Sequence, residues 1–563
     1  MSLIQHITTI AKAFCKKPLC VIVLAALALY ANTLFHDYAY DDAVVITDSQ
    51  YTQKGVQGIP EILTHGGFEG HQETEQCLLV GGRYRPMAQV FFAIEYELFG
   101  LNPFVGHLMN VLYYALLCAL IFVVLRRLFD NRAPSPYLTL PFVATMVFLV
   151  HPLHTEVVAN IKGRDEILAM LGAMGALYFS LNYVTGHRIT TLMGVFLAFL
   201  FGLLSKENTL TFLVVIPLTM YMFLKRRSLS GVEGRSILAM LLAATVVYLA
   251  LRYNAVGYWI GDTNQGGLYT NPFLYATSAE RLATVLFTWL IYFKLLFIPY
   301  PLTYDYYPFQ LPLVDFSDYR VWLSLLMVVL LVYAVIRNFK KNPVVTYGIL
   351  FFVITFSMMS NVVFNIGTFM NDRFLFVPLL GFGMIVGYYV QRWAASVETG
   401  HAPSLQGKKQ WVLPIVLMAV GLTLSSLTIH RNRVWKDNFT LFTTDVGVSS
   451  RSVPANTNAA KAWMAYAETL QSGSVAWKKA MEQAYQHFRK VADLDASHKD
   501  IWAWFGINCF YLERYAEAYD AFERAIRMGV ADRGVALYAA QQLEQKGEKA
   551  WAERFRQLAL TTP

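Results

Sequence analysis

The sequence is poor in charge and in cysteine. Asp, Glu, Lys and Arg together make up 15% of its 563 residues, whereas 56% of the residues are hydrophobic and 15% are aromatic. Because no soluble domain needs so much apolar surface, this composition excludes the ordinary soluble classes and predicts a protein of the lipid bilayer. The five cysteines show no metal-ligand spacing, so neither a metal-binding module nor a disulfide framework is expected.

The excess of positive charge is small and localised. Lysine and arginine outnumber the acidic residues by 46 to 38, a net charge of +8, and the excess lies in short loops between apolar runs. This distribution is typical of cytoplasmic anchoring and does not indicate nucleic-acid binding. The positive-inside rule places the N-terminus in the cytoplasm, together with Lys16-Lys17, Arg126-Arg127, Lys225-Arg226-Arg227, Lys340-Lys341 and Lys408-Lys409.

Apolar runs recur along most of the chain. Runs of about 17–22 residues, which cross roughly 30 Å as helices, occur near 18–35, 107–126, 138–151, 166–183, 189–204, 208–224, 236–252, 281–299, 321–337, 344–360, 374–390 and 411–429. The first is interpreted as a retained helix and not as a cleaved signal sequence. If 281–299 spanned the bilayer, Lys340-Lys341 would lie on the wrong side. We therefore expect 281–299 to be re-entrant or interfacial, or to pair with an unrecognised partner, which leaves about eleven spans.

This topology predicts a membrane domain over residues 1–435 that collects its polar motifs on one face. The first loop, 36–104, lies outside the cytoplasm in this arrangement. The loops at 151–165, 205–208, 253–280, 300–320 and 361–373 lie on the same side, with everything after 430. The expected fold is therefore an all-α polytopic membrane protein with an extracytoplasmic C-terminal domain.

Residues 452–563 are charged and Ala-rich with helical periodicity, and their spacing is typical of TPR repeats. Phe488 and Phe522 are 34 residues apart, and further residues fall on the TPR pattern: Trp502, Phe505, Gly506, Ala518 and Ala525. About three repeats are expected, and the groove of such a stack commonly binds an extended peptide. A folded cap or a dimerisation module is the alternative.

Two adjacent carboxylates, Asp41 and Asp42, follow the first span closely. Such a pair can act as a general base or bind a divalent metal. A turn or a helix cap is the alternative interpretation of an Asp-Asp pair in a loop.

Several basic residues stand at membrane edges where a lipid phosphate could bind. Arg83 and Arg85 precede a membrane-directed segment, and arginine grips phosphate bidentately. Arg373 opens a later span, while Lys206 and Lys294 interrupt apolar stretches, where each charge costs roughly 2.5–3.5 kcal/mol. Helix capping, snorkelling to headgroups, and pairing of Lys206 with a carboxylate are the alternatives.

A dense ionisable set follows the third span. His151, His154 and Glu156 have the composition of a metal site, but no third strong ligand is evident, and hydrogen-bonding roles are preferred for them. Further polar residues near the expected outer face complete the candidate site: Arg164, Asp165, Glu207, Tyr304 and Asp305.

Taken in order, these motifs resemble the transmembrane O-mannosyltransferases with TPR repeats, which belong to the GT-C class of membrane glycosyltransferases. The resemblance covers nearly the whole chain and depends on Tyr40-Asp41-Asp42, Arg83-Tyr84-Arg85-Pro86, His151-Pro152-Leu153-His154-Thr155-Glu156, Gly163-Arg164, Lys206-Glu207, Pro301-Leu302-Thr303-Tyr304-Asp305-Tyr306, Arg373-Phe374-Leu375 and Arg431-Asn432-Arg433-Val434-Trp435. It implies an extracytoplasmic active site in which Asp41 is catalytic and Asp42 is its close partner.

The function expected from this resemblance is inverting transfer of mannose or a similar sugar from a polyprenyl-phosphate donor to Ser or Thr hydroxyls of exported proteins. No cofactor is expected to be required, and a divalent metal is possible at Asp41-Asp42 but not favoured. The number of repeats and the chain length favour a bacterial relative in the inner membrane with periplasmic repeats. In a eukaryote the equivalent location is the endoplasmic reticulum membrane with lumenal repeats.

Three other functions are compatible with parts of the pattern. A GT-C transferase that modifies a lipid or a surface polysaccharide would share the membrane domain. A transporter or flippase would account for intramembrane charges but not for the long first loop or the outward repeats. A noncatalytic assembly scaffold would account for the repeats and leave the charged loops unexplained.

Overall fold

The computed structural model describes residues 17–71, 83–129, 133–224, 231–259, 267–269, 271–363, 365–398 and 412–561. Gly81, Gly82, Cys15, Cys77 and the basic residues Lys16, 225–227 and 408–409 lie outside the described residues. The chain forms two compact units. Unit 1 comprises residues 1–302 and 313–437, and unit 2 comprises residues 303–312 and 438–563.

The regular secondary structure in the described part of unit 1 is helical, apart from one isolated β-bridge between Ser49 and His71. Its helices of eight residues or more are α1 Pro18–Tyr30, α2 Pro86–Phe99, α3 Pro103–Leu128, α4 Leu140–Val150, α5 Arg164–Gly186, α6 Ile189–Ser205, α7 Phe212–Phe223, α8 Val232–Val256, α9 Ser278–Phe297, α10 Tyr319–Asn338, α11 Pro343–Phe356, α12 Leu379–Glu398 and α13 Val412–Val434. Many begin with proline at the first or second position, where the missing N–H costs nothing and the fixed φ suits a helix.

Each of the twelve predicted apolar runs coincides with one of these helices, and the prediction of an all-α polytopic membrane protein is confirmed. Within the described residues, six helices are long and apolar enough to cross a bilayer by themselves: Pro18–Phe35, Pro103–Leu128, Ile161–Gly186, Val232–Val256, Tyr319–Asn338 and Val412–Val434. Three further apolar helices are shorter. The expected number of about eleven spans stays a prediction.

The segment 281–299, expected to be re-entrant or interfacial or to pair with an unrecognised partner, coincides with a single uninterrupted helix, α9, which is not among the six helices that could cross a bilayer by themselves. It therefore has no re-entrant bend, and the interfacial and pairing alternatives stay predictions. Helix α9 has 20 residues and begins with a capping box, in which the Thr277 hydroxyl accepts from the Glu280 N–H and the Glu280 carboxylate accepts from the Thr277 N–H. The bent pair of apolar helices lies instead at Leu140–Val150 and Pro152–Ala159, which meet at 58°. The Pro152 ring allows the chain to begin a new helical turn at this bend.

Helices α5 and α6 approach each other through glycine. A Cβ atom on Gly172 would lie 2.5 Å from the Cα atom of Gly202, which is closer than any real contact allows. Small residues permit such close backbone approach between membrane helices. This contact fixes α5, which begins with Arg164 and Asp165, relative to α6, which is followed directly by Lys206.

Unit 2 consists of a short helix, α14 Asn438–Asp445, and three successive helix pairs. The pairs are α15 Val453–Glu468 with α16 Val475–Leu494, α17 Trp502–Tyr511 with α18 Tyr515–Arg527, and α19 Gly534–Gln545 with α20 Lys549–Thr561. Phe488 and Phe522 are both buried, and the ring of Phe522 lies directly over Gly506. This is the packing that the repeat spacing predicts.

We expect Gly172→Ala to destabilise unit 1 by about 1–3 kcal/mol, because the added methyl group forces α5 and α6 apart. The thermal unfolding midpoint of the detergent-solubilised protein measures this effect. Gly186→Ala in the same helix is the matched control, since a Cβ atom there meets nothing within 4 Å. Equal midpoints for the two variants would contradict the packing described above.

Candidate active site

The two neighbouring carboxylates predicted to be catalytic have different environments. Asp42 is fully buried, and its oxygens accept hydrogen bonds from the backbone N–H of Ala39 at 2.9 Å and of Lys162 at 2.7 Å. Burial raises the pKa of Asp42 to about 7, although these N–H groups oppose the shift. Asp42 thus fastens the first loop to the turn before α5, and it is buried in the structure. Its catalytic role as the close partner of Asp41 stays a prediction.

Asp41 keeps an accessible carboxylate. Its side chain is 27% exposed, and its Oδ2 atom lies 3.5 Å from the Nζ atom of Lys162. The backbone turns sharply just before it, since Tyr40 has a φ of 55° in the left-handed region. The turn directs the two successive carboxylates into different surroundings, so that Asp41 is the more accessible of the two.

The buried carboxylate of Asp165 forms ion pairs with three surrounding cations. Its Oδ2 atom lies 2.9 Å from Arg85 Nη1, 3.7 Å from Lys162 Nζ and 3.8 Å from Lys206 Nζ. Its side chain is only 5% exposed. A buried ion of this kind persists only when it is paired, and here three cations share one oxygen.

Two glutamates complete this network. Glu207 receives the Arg85 guanidinium in a bidentate pair, with Arg85 Nε donating at 2.8 Å and Nη2 also donating. Glu166 accepts from Lys206 and, at 2.9 Å, from the side-chain amide of Asn208. Lys206 therefore pairs with a carboxylate, as one of the alternatives from the sequence proposed.

A small open cleft with about 30 Å³ of internal space lies beside Asp165. Its walls include Arg83, Arg85 and Lys162 with one carboxylate, Asp165, which gives the charged lining a net charge of +2. The remaining lining residues are Val45, Gly67, Phe68, Ala88, Gln89 and Phe92. A cationic cavity with apolar walls suits an anionic group attached to a larger neutral body.

Arg83 is the least compensated cation of the cavity. Its guanidinium lies 5.2 Å from the ring centroid of Phe68. Among the residues that the structure describes, no carboxylate lies within 4.0 Å of it. Arg85, by contrast, is held by Glu207 and Asp165.

Arg373 forms a second ion pair close to Asp41. Its Nη1 atom donates to Glu156, whose side chain is 6% exposed. Burial lowers the pKa of Arg373, but the charges of Glu156 and Asp41 raise it above its ordinary value overall. Arg373 therefore contributes a permanent positive field at Asp41.

Comparison with known proteins connects this site to an enzyme family. Residues 84–253 match the family model described as dolichyl-phosphate-mannose-protein mannosyltransferase. The human protein O-mannosyl-transferase TMTC3 is 24% identical over 538 residues, which cover 90% of this chain and 55% of that protein. The Drosophila melanogaster protein O-mannosyl-transferase Tmtc3 is 26% identical over 90% of this chain and 58% of its own length. This chain is thus similar to the protein O-mannosyl-transferases along most of its length.

The human protein O-mannosyl-transferase TMTC2 is 33% identical over a shorter stretch of 159 residues, which covers 26% of this chain and 16% of that protein. The chain spans about half the length of the relatives that it matches along most of its sequence. The segment matched by the family model carries Arg85, Lys162, Asp165, Lys206 and Glu207.

Arg164, which was predicted to support the active site, is bonded entirely to protein groups. It is fully buried, and its three nitrogens donate to Asn110 at 2.8 Å, to Glu95, and to the carbonyl oxygen of Gly106 at 2.9 Å. Since every nitrogen already has a protein partner, Arg164 fastens α5 to α2 and α3 and does not face a substrate.

The two histidines are likewise buried and hydrogen-bonded within the protein. His151 accepts from the Leu153 N–H at Nδ1, and its Nε2 atom lies 3.2 Å from the carbonyl oxygen of Leu296. The Nδ1 atom of His154 lies 2.9 Å from the hydroxyl of Tyr114. These contacts are the hydrogen-bonding roles preferred from the sequence.

Three other predicted residues have partners elsewhere. The ammonium of Lys294, at an exposed position near the end of α9, donates to the carbonyl oxygen of Tyr300 six residues later, so its predicted contact with donor phosphate is not supported. Tyr304 and Asp305 belong to unit 2. There the Tyr304 N–H donates to Asp445 at 2.8 Å, and Asp305 accepts from the hydroxyl of Ser452.

Lys162 is the residue that the sequence-based selection missed. It was not among the candidate site residues, whereas in the structure it contacts Asp41, Asp165 and the cavity. The available signal was the position of its amine at a membrane edge, two residues before Arg164 and three before Asp165, where unused charges are rare.

Metal binding has no preformed site in the described part of the chain. No group of three or more His, Cys, Asp or Glu side chains is placed there to hold an ion. Both oxygens of Asp42 already accept from backbone amides. The expectation that no metal is required stays a prediction.

The titration of Asp42 gives a test of its burial. Its folded-state pKa of about 7 exceeds the ordinary Asp value, so the folded protein retains a proton that the unfolded chain loses. The contribution of Asp42 to stability is therefore present at low pH and is lost as pH rises toward 7, by at most about 1.4 kcal/mol per pH unit.

We expect the stability of Asp42→Asn not to fall in this way as pH rises, because an amide does not titrate. Unfolding midpoints measured from pH 4 to pH 8 should therefore fall more steeply for the wild-type protein than for Asp42→Asn. The exposed first-loop residue Asp48, replaced as Asp48→Asn, is the control and should follow the wild-type curve. Parallel curves for wild type and Asp42→Asn would show that Asp42 does not titrate in this range.

Proposed function

We propose that this protein is an inverting glycosyltransferase. It transfers mannose or a similar sugar from a polyprenyl-phosphate donor to Ser or Thr hydroxyls of exported proteins. The observation that carries the proposal is the position of the accessible Asp41 carboxylate next to Lys162, which also lines the cationic cavity. The relationship to enzymes named protein O-mannosyl-transferases supports the sugar and the type of acceptor.

Asp41 acts as the general base in this reaction. The acceptor hydroxyl attacks the anomeric carbon, the new C–O bond forms as the bond to the phosphate oxygen breaks, and Asp41 takes the hydroxyl proton. A single displacement inverts the anomeric configuration. The 27% exposure of the Asp41 side chain supplies the access that this role requires, which Asp42 lacks.

The cavity receives the donor phosphate. Arg83 has no carboxylate within 4.0 Å among the described residues and can direct its guanidinium at the phosphate oxygens, in the bidentate geometry that arginine favours. Arg85 is already oriented by Glu207 and Asp165 and presents a fixed positive charge. Charges that are fixed in advance stabilise the leaving phosphate without reorganisation, an effect of about 3–4 kcal/mol for a well-placed donor.

The predicted membrane topology indicates on which side of the bilayer the reaction takes place. We infer that the N-terminus is cytoplasmic, and that the first loop and unit 2 lie on the opposite side of the bilayer, in the periplasm of a bacterium or the lumen of the endoplasmic reticulum. The helix pairs of unit 2 would hold the exported acceptor protein, because stacked helical repeats present grooves suited to extended peptides. No cofactor is required in this scheme.

Replacing Asp41 by Asn tests the proposed function. Membranes that contain the protein are supplied with radiolabelled polyprenyl-phosphate mannose, and label in Ser and Thr of a co-expressed exported protein is measured. We expect Asp41→Asn to lower transfer by about 10²-fold or more, because an amide cannot accept the proton.

The matched control is Asp48→Asn in the same loop, whose side chain is exposed and bonded to the Thr47 hydroxyl. It should transfer at the wild-type rate at equal expression. Full transfer by Asp41→Asn would exclude Asp41 as the base. Absence of transfer from every sugar donor, combined with movement of a lipid or solute across the membrane, would favour a transporter.

A further inference from the structure

We propose that Gln89 selects the sugar donor by accepting a hydrogen bond from one hydroxyl group of its sugar. This inference rests on the proposed function and adds a specificity-determining residue to it. Gln89 belongs to α2 and is not among the residues predicted from the sequence. It lines the same cavity as Arg83, to which the donor phosphate is assigned.

The orientation of the Gln89 side-chain amide is set by the backbone of the first loop. Its Nε2 atom donates to the carbonyl oxygen of Gly67 at 2.6 Å. Because a carbonyl oxygen can only accept hydrogen bonds, the amide nitrogen must face Gly67, and the amide oxygen, Oε1, must face the other way. The side chain is only 8% exposed, so its neighbours hold it in this orientation.

The Oε1 atom of Gln89 is an acceptor that the protein itself does not use. In the part of the chain that the structure describes, no N–H or O–H group donates to it. The atom is also not sealed off by the surrounding protein. Since polar atoms of largely buried side chains are nearly always hydrogen-bonded, this oxygen is placed to receive a donor from a bound molecule.

The charged side chains of the cavity cannot accept from a hydroxyl group in the same way. Its three cations, Arg83, Arg85 and Lys162, have only donors to offer. The carboxylate of Asp165 already forms ion pairs with three cations. A phosphate oxygen at Gln89 Oε1 would be repelled, because both atoms carry negative charge. The group that meets Oε1 must therefore be a neutral donor, such as a sugar hydroxyl.

Gly67 fixes the spacing between the residue for the phosphate and the residue for the hydroxyl. Its N–H donates to the carbonyl oxygen of Arg83 at 2.6 Å, while its own carbonyl oxygen accepts from Gln89. A Cβ atom on Gly67 would lie 3.2 Å from that Arg83 oxygen, which is tighter than most real contacts. One small residue thus holds Arg83 and Gln89 from its two sides, at a constant separation along the donor.

The size of the cavity fits this division of the donor. Its internal space of about 30 Å³ takes roughly two groups of the size of a water molecule, which suits phosphate oxygens and one hydroxyl but not a whole sugar ring. The half-buried Phe68 in its wall supplies apolar surface against which the ring can pack outside the cavity. Because the sugar is bonded to the phosphate, its hydroxyl groups are the nearest neutral donors to an anion held at Arg83.

The wild-type protein gives the first test, through the use of donors that each lack one hydroxyl group. Membranes that contain the protein are supplied with polyprenyl-phosphate mannose or with its 2-, 3-, 4- or 6-deoxy analogue, and kcat/KM for each donor is measured. We expect kcat/KM to be about 10-fold lower for one analogue, because that donor leaves Gln89 Oε1 unpaired. Equal values for mannose and every analogue would overturn the proposal.

Gln89→Met gives the second test, since methionine has a similar length but no amide oxygen. We expect this variant to use mannose and the discriminated analogue equally, so that the ratio of their kcat/KM values falls from about 10 to about 1. The lost bond to Gly67 lowers both values alike and leaves their ratio unaffected. A ratio that stays at the wild-type value would overturn the proposal, and a raised KM for the acceptor protein at that same ratio would assign Oε1 to the acceptor instead.

The matched control is Gln53→Met. Gln53 is a first-loop glutamine whose Nε2 atom also donates to a backbone carbonyl oxygen, that of Thr47, but it does not line the cavity, so the donor ratio should stay at the wild-type value. The two levels of inference remain distinguishable. Normal transfer by Asp41→Asn would remove the proposed function itself. Inactive Asp41→Asn with an unchanged donor ratio in Gln89→Met would leave the function in place and reject only the role of Gln89.

Discussion

The site depends on one buried interaction, the sharing of the Asp165 carboxylate among three cations. An ion in such a position costs several kcal/mol of desolvation unless it is paired, and removing one partner leaves the others uncompensated. The interaction joins the start of α5 to Arg85 before α2 and to Lys206 after α6, at separations of 80 residues from Arg85 and of 41 residues from Lys206. The cationic cavity exists because this carboxylate holds its neighbours together without neutralising all of them.

Adjacent residues of the same chemical type have different roles around this centre. Asp42 is buried and accepts backbone hydrogen bonds, whereas Asp41 is accessible. Arg85 is engaged by two carboxylates, whereas Arg83 faces the cavity over an aromatic ring. In each pair one member builds the site and the other is free to meet a substrate. The structural member of each pair, Asp42 or Arg85, is the one that has hydrogen-bond or ion-pair partners on several sides.

Much of the candidate site followed from the sequence, because ionisable residues at membrane edges are seldom idle. That rule identified Asp41, Arg83 and Asp165 correctly as members of one region. It also selected Arg164 and Lys294, which bond to protein groups instead. The rule takes no account of hydrogen-bond and ion-pair partners, so it does not distinguish a fully paired arginine from one that is available to a substrate. For the same reason it did not select Lys162, which stands out only because it lies beside the Asp41 carboxylate.

The sequence by itself determined the helices, the membrane class and the repeat unit. These are properties of local composition and period: an apolar run long enough for the bilayer must satisfy its own backbone hydrogen bonds as a helix. Only the tertiary structure decided which charges meet, since Arg373 pairs with Glu156 across 217 residues and the Lys162 amide bonds to Asp42 across 120. Such pairings depend on how the helices pack, and helix packing is decided by contacts between segments that no local pattern records.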